Sequence, residues 1–236
     1  MQPSRTAVSL PAARLQQLVS SADCDVSPRG GRVARVEETE TMADDKLVLH
    51  PQDPRAILHD PTLVLDALRS SGLIGGSFGW YGENHYAAGP RYRELVLFRK
   101  FAEPEERELH VSLSETSEEP AFLGATYAQP PFCPGCRGVF PDWRAQILAW
   151  HRDNHRRPWT CARCGKEVEV SQLDWAHTGG IARYSLDLWG VRQGAAIPSA
   201  GLLALLERVT REQWNYFYYR LGKDPAPRVP PRVQPS

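Results

Sequence analysis

The sequence predicts an α+β fold: a small antiparallel-sheet domain, a module organised by paired cysteines, and C-terminal helices. Three observations carry this. Short apolar or alternating runs of strand length recur at Leu47–Leu49, Leu95–Phe98, His110–Leu113 and Tyr184–Leu188. Apolar residues at helical spacing follow the cap residues Asp60 and Ser199. Four of the five cysteines fall into two Cys-x-x-Cys pairs.

The chain has 236 residues, enough for one large domain or two small ones. Its 28 Lys+Arg balance 28 Asp+Glu, so no global field draws the whole protein onto phosphate. With 42% hydrophobic residues a packed core is within reach. No stretch approaches the ~20 apolar residues that span a bilayer, and residues 1–24 lack the apolar segment of an export signal. A soluble, cytoplasmic protein that does not enter membranes is expected.

Residues 1–45 carry no sustained period and are expected to be a disordered leader, with the native start at Met42. Residues 46–128 read as the α+β domain. In it, Asp60-Pro61 starts a helix through Leu63, Val64, Ala67 and Leu68, and Gly72 stops it. Leu95–Phe98 and His110–Leu113, separated by a Glu-rich turn, are expected to pair antiparallel. Trp80-Tyr81 beside Glu83-Asn84-His85-Tyr86 forms an aromatic-polar cluster able to line a pocket or an edge loop. Residues 129–170 form the cysteine module. Ser171-Gln-Leu-Asp174 resembles a helix N-terminus, and residues 171–222 are expected to give a strand and two helices packed on the cysteine module, the second opened by a capping box at Thr210–Gln213 and carrying Trp214, Phe217, Tyr218 and Leu221. Residues 223–236, with five prolines, form a polyproline-like tail.

The cysteines are Cys133-Pro-Gly-Cys136 and Cys161-Ala-Arg-Cys164, separated by residues 137–160. Each turn aims two thiolates at one centre, and the intervening chain is long enough to return and close a tetrahedron. Gly135 and Gly165 suit tight turns. Two disulfides would need an export route, a lone redox pair would not need duplication, and iron in an S4 site is the chemical rival. Residues 132–166 resemble zinc-ribbon and related double-knuckle modules. The resemblance implies one structural zinc held by Cys133, Cys136, Cys161 and Cys164, closed to water and substrate. Between the pairs, Asp142 to Asn154 reads as a helix with Trp143, Ile147, Leu148 and Trp150 on its apolar side, ended by Pro158. Cys24 reads as a bystander thiol.

Residues 133–166 carry seven Lys/Arg against two Asp, whereas residues 92–120 carry eight Glu against four Lys/Arg. The preferred functional reading is a non-enzymatic binding module for a protein partner, met by the acidic segment or by Trp214, Tyr216 and Tyr219 on the aromatic C-terminal element. The alternative is a nucleic-acid surface, with Arg144, Arg152, Arg156 and Arg157 on phosphates and Trp150 stacking on bases. A third reading, a metal-dependent hydrolase, rests on His151 and His155 one helical turn apart with His177. It lacks a base, because Arg152 stands where a zinc-protease helix has Glu.

Overall fold

The computed structural model describes residues 45–79, 84–100, 102, 104, 109–125, 128–153 and 157–220. The expected leader up to residue 44, the Met42 start, Cys24 and the proline tail lie outside the described residues.

Three helices, a six-stranded sheet and a separate two-stranded pair make the larger core. Strand β1 (Asp45–Pro51) is followed by α1 (Pro61–Ser71), β2 (Ile74–Ser77), β3 (His85–Ala88), the short α2 (Tyr92–Leu95), β4 (Val96–Phe98) and β5 (His110–Leu113). The stretch around the cysteines supplies β6 (Ala121–Phe122), α3 (Trp143–Arg152), β7 (Trp159–Thr160), β8 (Glu167–Val168) and β9 (Ile181–Ala182). The chain then returns to the larger core with β10 (Leu186–Trp189), β11 (Ala196–Pro198), α4 (Ala200–Thr210) and β12 (Trp214–Arg220). Six strands join in the order β12-β1-β10-β5-β3-β2, and every pairing is antiparallel. The α+β class therefore holds. The sheet takes strands from both flanks of the cysteine segment, so residues 46–128 and 171–222 share one sheet.

Register explains why β1 is buried from Leu47 to Pro51. Leu47 lies opposite both Leu188 and Tyr218, and Leu49 opposite both Leu186 and Tyr216. These residues join Val111, Leu113, Tyr86, Val64, Leu68, Leu202 and Leu206 in one apolar cluster. Each fully buried aliphatic side chain there contributes about 1.5–3 kcal/mol by leaving water. The opposite face bears Val48 between Asp187 and Phe217, with Asp187 opposite Ser112.

Both main helices begin as their cap residues dictate. Asp60 accepts hydrogen bonds from the backbone N–H groups of Thr62 (2.9 Å) and Leu63 (3.3 Å), and Gly72 ends α1 at φ +79°. Ser199 accepts from Leu202 N–H at 3.1 Å to start α4.

Three elements depart from expectation. The second C-terminal helix is instead β12, which pairs with β1 along all seven residues. Thr210 closes α4 rather than opening a helix: its hydroxyl donates to Leu206 O (2.8 Å) and accepts from Trp214 Nε1 (3.0 Å), and Arg211 turns left-handed at φ +65°. Beyond it the aromatic run favours extended chain, where large side chains alternate between two packed faces. β4 does not pair with β5 either. It pairs with β11, while β5 lies between β10 and β3. Strand β5 is buried at all four residues, so it needs neighbours on both edges, which a hairpin with β4 alone would not supply. Finally, the chain from Ser171 makes only a 3-10 turn, Val170–Gln172, before Leu173 returns to extended backbone.

Candidate metal centre and neighbouring polar sites

The cysteine segment builds a second, smaller core. Strands β6 and β9 pair, and β7 and β8 form a hairpin around Cys161–Lys166. Helix α3 buries Trp143, Ile147 and Trp150, as its spacing predicts, but leaves Leu148 44% exposed. These side chains pack with Phe140, Trp159, Val168, Val170, Leu173, Trp175, Cys133 and Cys161. Trp143 meets Trp175 edge-on at 5.4 Å, and Phe122 lies 4.7 Å from Trp175.

Two turns of the same shape present the thiols. In the first, Cys133 N–H donates to Gly138 O (2.8 Å) and Arg137 N–H to Cys133 O (2.9 Å). In the second, Cys161 N–H donates to Lys166 O (2.9 Å) and Gly165 N–H to Cys161 O (2.8 Å). Each turn closes on a left-handed residue four places after its first cysteine: Arg137 at φ +60° and Gly165 at φ +71°. Gly165 thus does what the sequence suggested, and Arg137, not Gly135, is its counterpart. Gly138 serves by size. A β-carbon there would sit 2.9 Å from Arg163 Cβ and 3.2 Å from Cys161 Sγ.

The four sulfurs lie within 4.8 Å of one another, with Cys133 to Cys164 at 3.9 Å and Cys136 to Cys161 at 3.6 Å. Tetrahedral zinc with Zn–S near 2.3 Å requires S···S edges of about 3.8 Å; a disulfide would bring sulfurs to about 2.05 Å. The spacing fits a shared metal ion and excludes two disulfides. Cys133 and Cys161 are buried, Cys136 is half-buried and Cys164 exposed. Backbone N–H of Cys164 pointing at its sulfur holds the Cys161 thiol down, to about 7, and that of Cys136 lowers Cys133, whereas Cys136, despite the Gly138 N–H at its sulfur, is pushed up to about 12 by burial and the neighbouring thiols. Among the described residues, these four cysteines are the one cluster of three or more His, Cys, Asp or Glu able to hold a metal.

The remaining residues singled out by sequence take varied positions. Trp150 is 4% exposed, in the smaller core. Arg144 is exposed with its guanidinium 4.5 Å from the Trp143 ring, Arg152 Nε donates to Leu148 O (3.3 Å), and Arg157 pairs with Asp153 at 3.8 Å. Arg156 and His155 lie outside the described residues, as do Trp80, Tyr81 and Glu83. His151 is half-buried against Trp150. His177 is elsewhere, stacked on Tyr216 at 4.7 Å. Of the aromatic trio, Trp214 is buried in the larger core, whereas Tyr216 and Tyr219 are half-buried on edge strand β12.

Sequence reading missed a polar network on the second sheet face. Lys46 forms an ion pair with Asp187, and Lys46 Nζ stands 4.4 Å from the Trp189 ring and 4.9 Å from that of Tyr219. Ser185 donates to Asp187 (2.8 Å), and Trp189 Nε1 donates to Ser112 (2.9 Å). His110 is sandwiched between Phe78 (4.7 Å) and Trp189 (5.3 Å), with His85 at 5.2 Å. The polar members of β5 and β10, at alternate positions opposite one another, were the available signal. The aromatic-polar segment at 80–86 thus contributes His85 to this network.

The fold and this centre define a class: an α+β protein with a four-cysteine cluster able to hold a metal ion. The chain matches no protein-family model, no curated protein and no solved structure.

Proposed function

We propose that this chain is a non-enzymatic, cytoplasmic zinc-binding protein that serves as a binding module for a protein partner. The observation that supports the zinc part of this reading is the convergence of the Cys133, Cys136, Cys161 and Cys164 sulfurs within 4.8 Å of one another. Four thiolates fill all four positions of zinc, so the ion admits neither water nor substrate, and its work is to clamp two turns onto a tryptophan-rich core. Oxygen-preferring cations are disfavoured by an all-sulfur set. The residues offered to a partner are Tyr216 and Tyr219, large amphipathic side chains on an edge strand with part of their surface uncovered. Two measurements test this reading. Elemental analysis should find one zinc per chain. A photo-crosslinking amino acid in place of Tyr219 should yield a discrete protein adduct that the same probe at exposed Ala145 does not. Absence of zinc, or identical adducts from both positions, would reject it.

A further inference from the structure

Beside the metal centre, but outside it, a cavity of about 390 Å³ opens between the ends of β1 and β12 and the Asp174–Gly180 loop. That volume lies at the small end of the roughly 300–1,000 Å³ of small-molecule sites. Its walls are chemically specific. His50 is 7% exposed, and its Nδ1 lies 2.8 Å from Pro51 O. A carbonyl only accepts, so Nδ1 carries the proton and Nε2 is left as an acceptor. His177 repeats this arrangement, with Nδ1 2.9 Å from Tyr216 O. Two imidazoles, on separate elements, are thus set in the same tautomer by backbone carbonyls. Glycine at position 180 leaves His50 Nε2 its room, since any β-carbon there would lie 2.4 Å from it.

The loop that carries His177 is held in costly geometry. Ala176 and His177 are consecutive non-glycine residues at φ +49° and +57°, the kind of strain that persists where surroundings over-determine it. Asp174 accepts from Ala176 N–H (2.8 Å), Thr178 Oγ1 donates to Trp175 O (2.7 Å), and Tyr218 N–H donates to His177 O (2.9 Å).

We propose that this cavity binds a neutral, hydroxyl-bearing small molecule of monosaccharide size, whose hydroxyl protons are received by the Nε2 atoms of His50 and His177. Among the described residues no Lys or Arg lines the cavity, so an anion would meet two lone pairs and the Asp174 carboxylate with no cation in the lining to balance it. The carboxylate is already paired with Arg137, which removes the main attraction for an amine. Asn215 Oδ1 accepts from Tyr216 N–H (3.0 Å), leaving its NH2 group to donate to a ligand oxygen. Burial lowers the His50 pKa and keeps its imidazole a neutral acceptor. Mutual use of donors and acceptors on both partners is what a hydroxyl-rich ligand requires and a carboxylate or phosphate cannot satisfy.

Saturation-transfer NMR on the full zinc-loaded chain tests this with glucose, galactose, ribose and inorganic phosphate as probes. At least one sugar should receive saturation at millimolar concentration and not be displaced by phosphate. His177→Asn, which tolerates the left-handed backbone, and Asn215→Ala at an exposed position should each weaken binding by about tenfold or more, a loss of ~1.4 kcal/mol. Both variants leave the two cores untouched, so near-ultraviolet circular dichroism should match the parent. No saturation of any sugar, equal binding by both variants, or displacement by phosphate would overturn the assignment.

Discussion

Arg137, the left-handed residue that closes the first cysteine turn, forms an ion pair with Asp174, the residue that begins the strained cavity loop. Its guanidinium also lies 4.7 Å from the Phe132 ring, and Phe132 and Asp174 exchange backbone hydrogen bonds of 2.8 and 3.1 Å. The Arg137 guanidinium, and then Ala176 N–H, hold the Asp174 carboxyl below its ordinary range. The metal centre and the cavity wall are therefore parts of one hydrogen-bonded unit. Asp174→Asn keeps the Ala176 acceptor and removes the charge that orients Arg137. Outer groups that orient a metal site are worth about 10–100-fold in affinity. This one acts through the turn rather than on a sulfur, so a loss near the lower end, about tenfold, is expected in competition with a chromophoric zinc chelator. Unchanged affinity would show that the turn holds its shape without Arg137.

Removing the metal should be visible in tryptophan emission. Trp143, Trp150, Trp159 and Trp175 share the smaller core with Cys133 and Cys161. Outside that core, Trp189 and Trp214 pack in the six-stranded sheet. Metal binding to such modules is itself folding free energy. A strong chelator, or Cys161→Ser, should shift emission to the red while the far-ultraviolet signal of the sheet largely persists. An apoprotein with unshifted emission would mean the aromatic core holds the module without metal.

The two glycines of the turns should respond differently to alanine. Gly165 has φ +71° and open space where a β-carbon would go, so Gly165→Ala costs only backbone strain, about 1–2 kcal/mol. Gly138→Ala drives a carbon to 2.9 Å from Arg163 Cβ and 3.2 Å from the Cys161 sulfur, which forces the second turn away from the first. Zinc affinity should fall more in Gly138→Ala than in Gly165→Ala. The reverse order would contradict the assigned geometry.

What was legible in the sequence follows from what is local. The Asp60 and Ser199 caps, the α3 stripe and the ligand spacing depend on residues within a few positions of one another, and they are found where expected except that Leu148 of the stripe lies exposed. Strand partnership is non-local. Nothing in Val96–Phe98 says that its neighbour lies at Ala196–Pro198. The aromatic run after Thr210 fits a helix stripe only if Tyr216 and Tyr219 are ignored; alternation across a sheet accounts for all of it. The cavity was hidden for the same reason, since His50 and His177 are far apart in the chain and gain meaning only when β12 pairs with β1.

The Lys46–Asp187 pair should be costly to break from one side. Their side chains are only 15% and 9% exposed, and Asp187 also accepts from Ser185. Asp187→Ala leaves the Lys46 ammonium largely enclosed beside Trp189 and Tyr219. Breaking such a pair costs about 3–5 kcal/mol, seen as a lower urea midpoint. Replacing both partners with apolar residues should recover part of it. A double variant no better than Asp187→Ala would place the cost in lost packing rather than in the stranded charge.

The buried His50 makes stability depend on pH with a definite sign. Burial lowers its pKa from the ordinary 6.5, opposed in part by the hydrogen bond to Pro51 O. The unfolded chain therefore takes up a proton near pH 6.5 that the folded chain does not. Stability contributed by the neutral imidazole is complete above that pH and is lost as pH falls through the depressed folded value. One such group changes stability by at most ~1.4 kcal/mol per pH unit. His85 is lowered in the same direction, again chiefly by burial, so a second histidine adds to the slope. Urea midpoints measured from pH 7.5 down to 5.5 should fall in the parent chain and fall less steeply in His50→Gln, whose amide needs no proton. Comparing the two chains cancels the cysteine titration common to both. Parallel slopes would mean that His50 is protonated in the folded protein, with a cavity wet enough to hydrate the imidazolium.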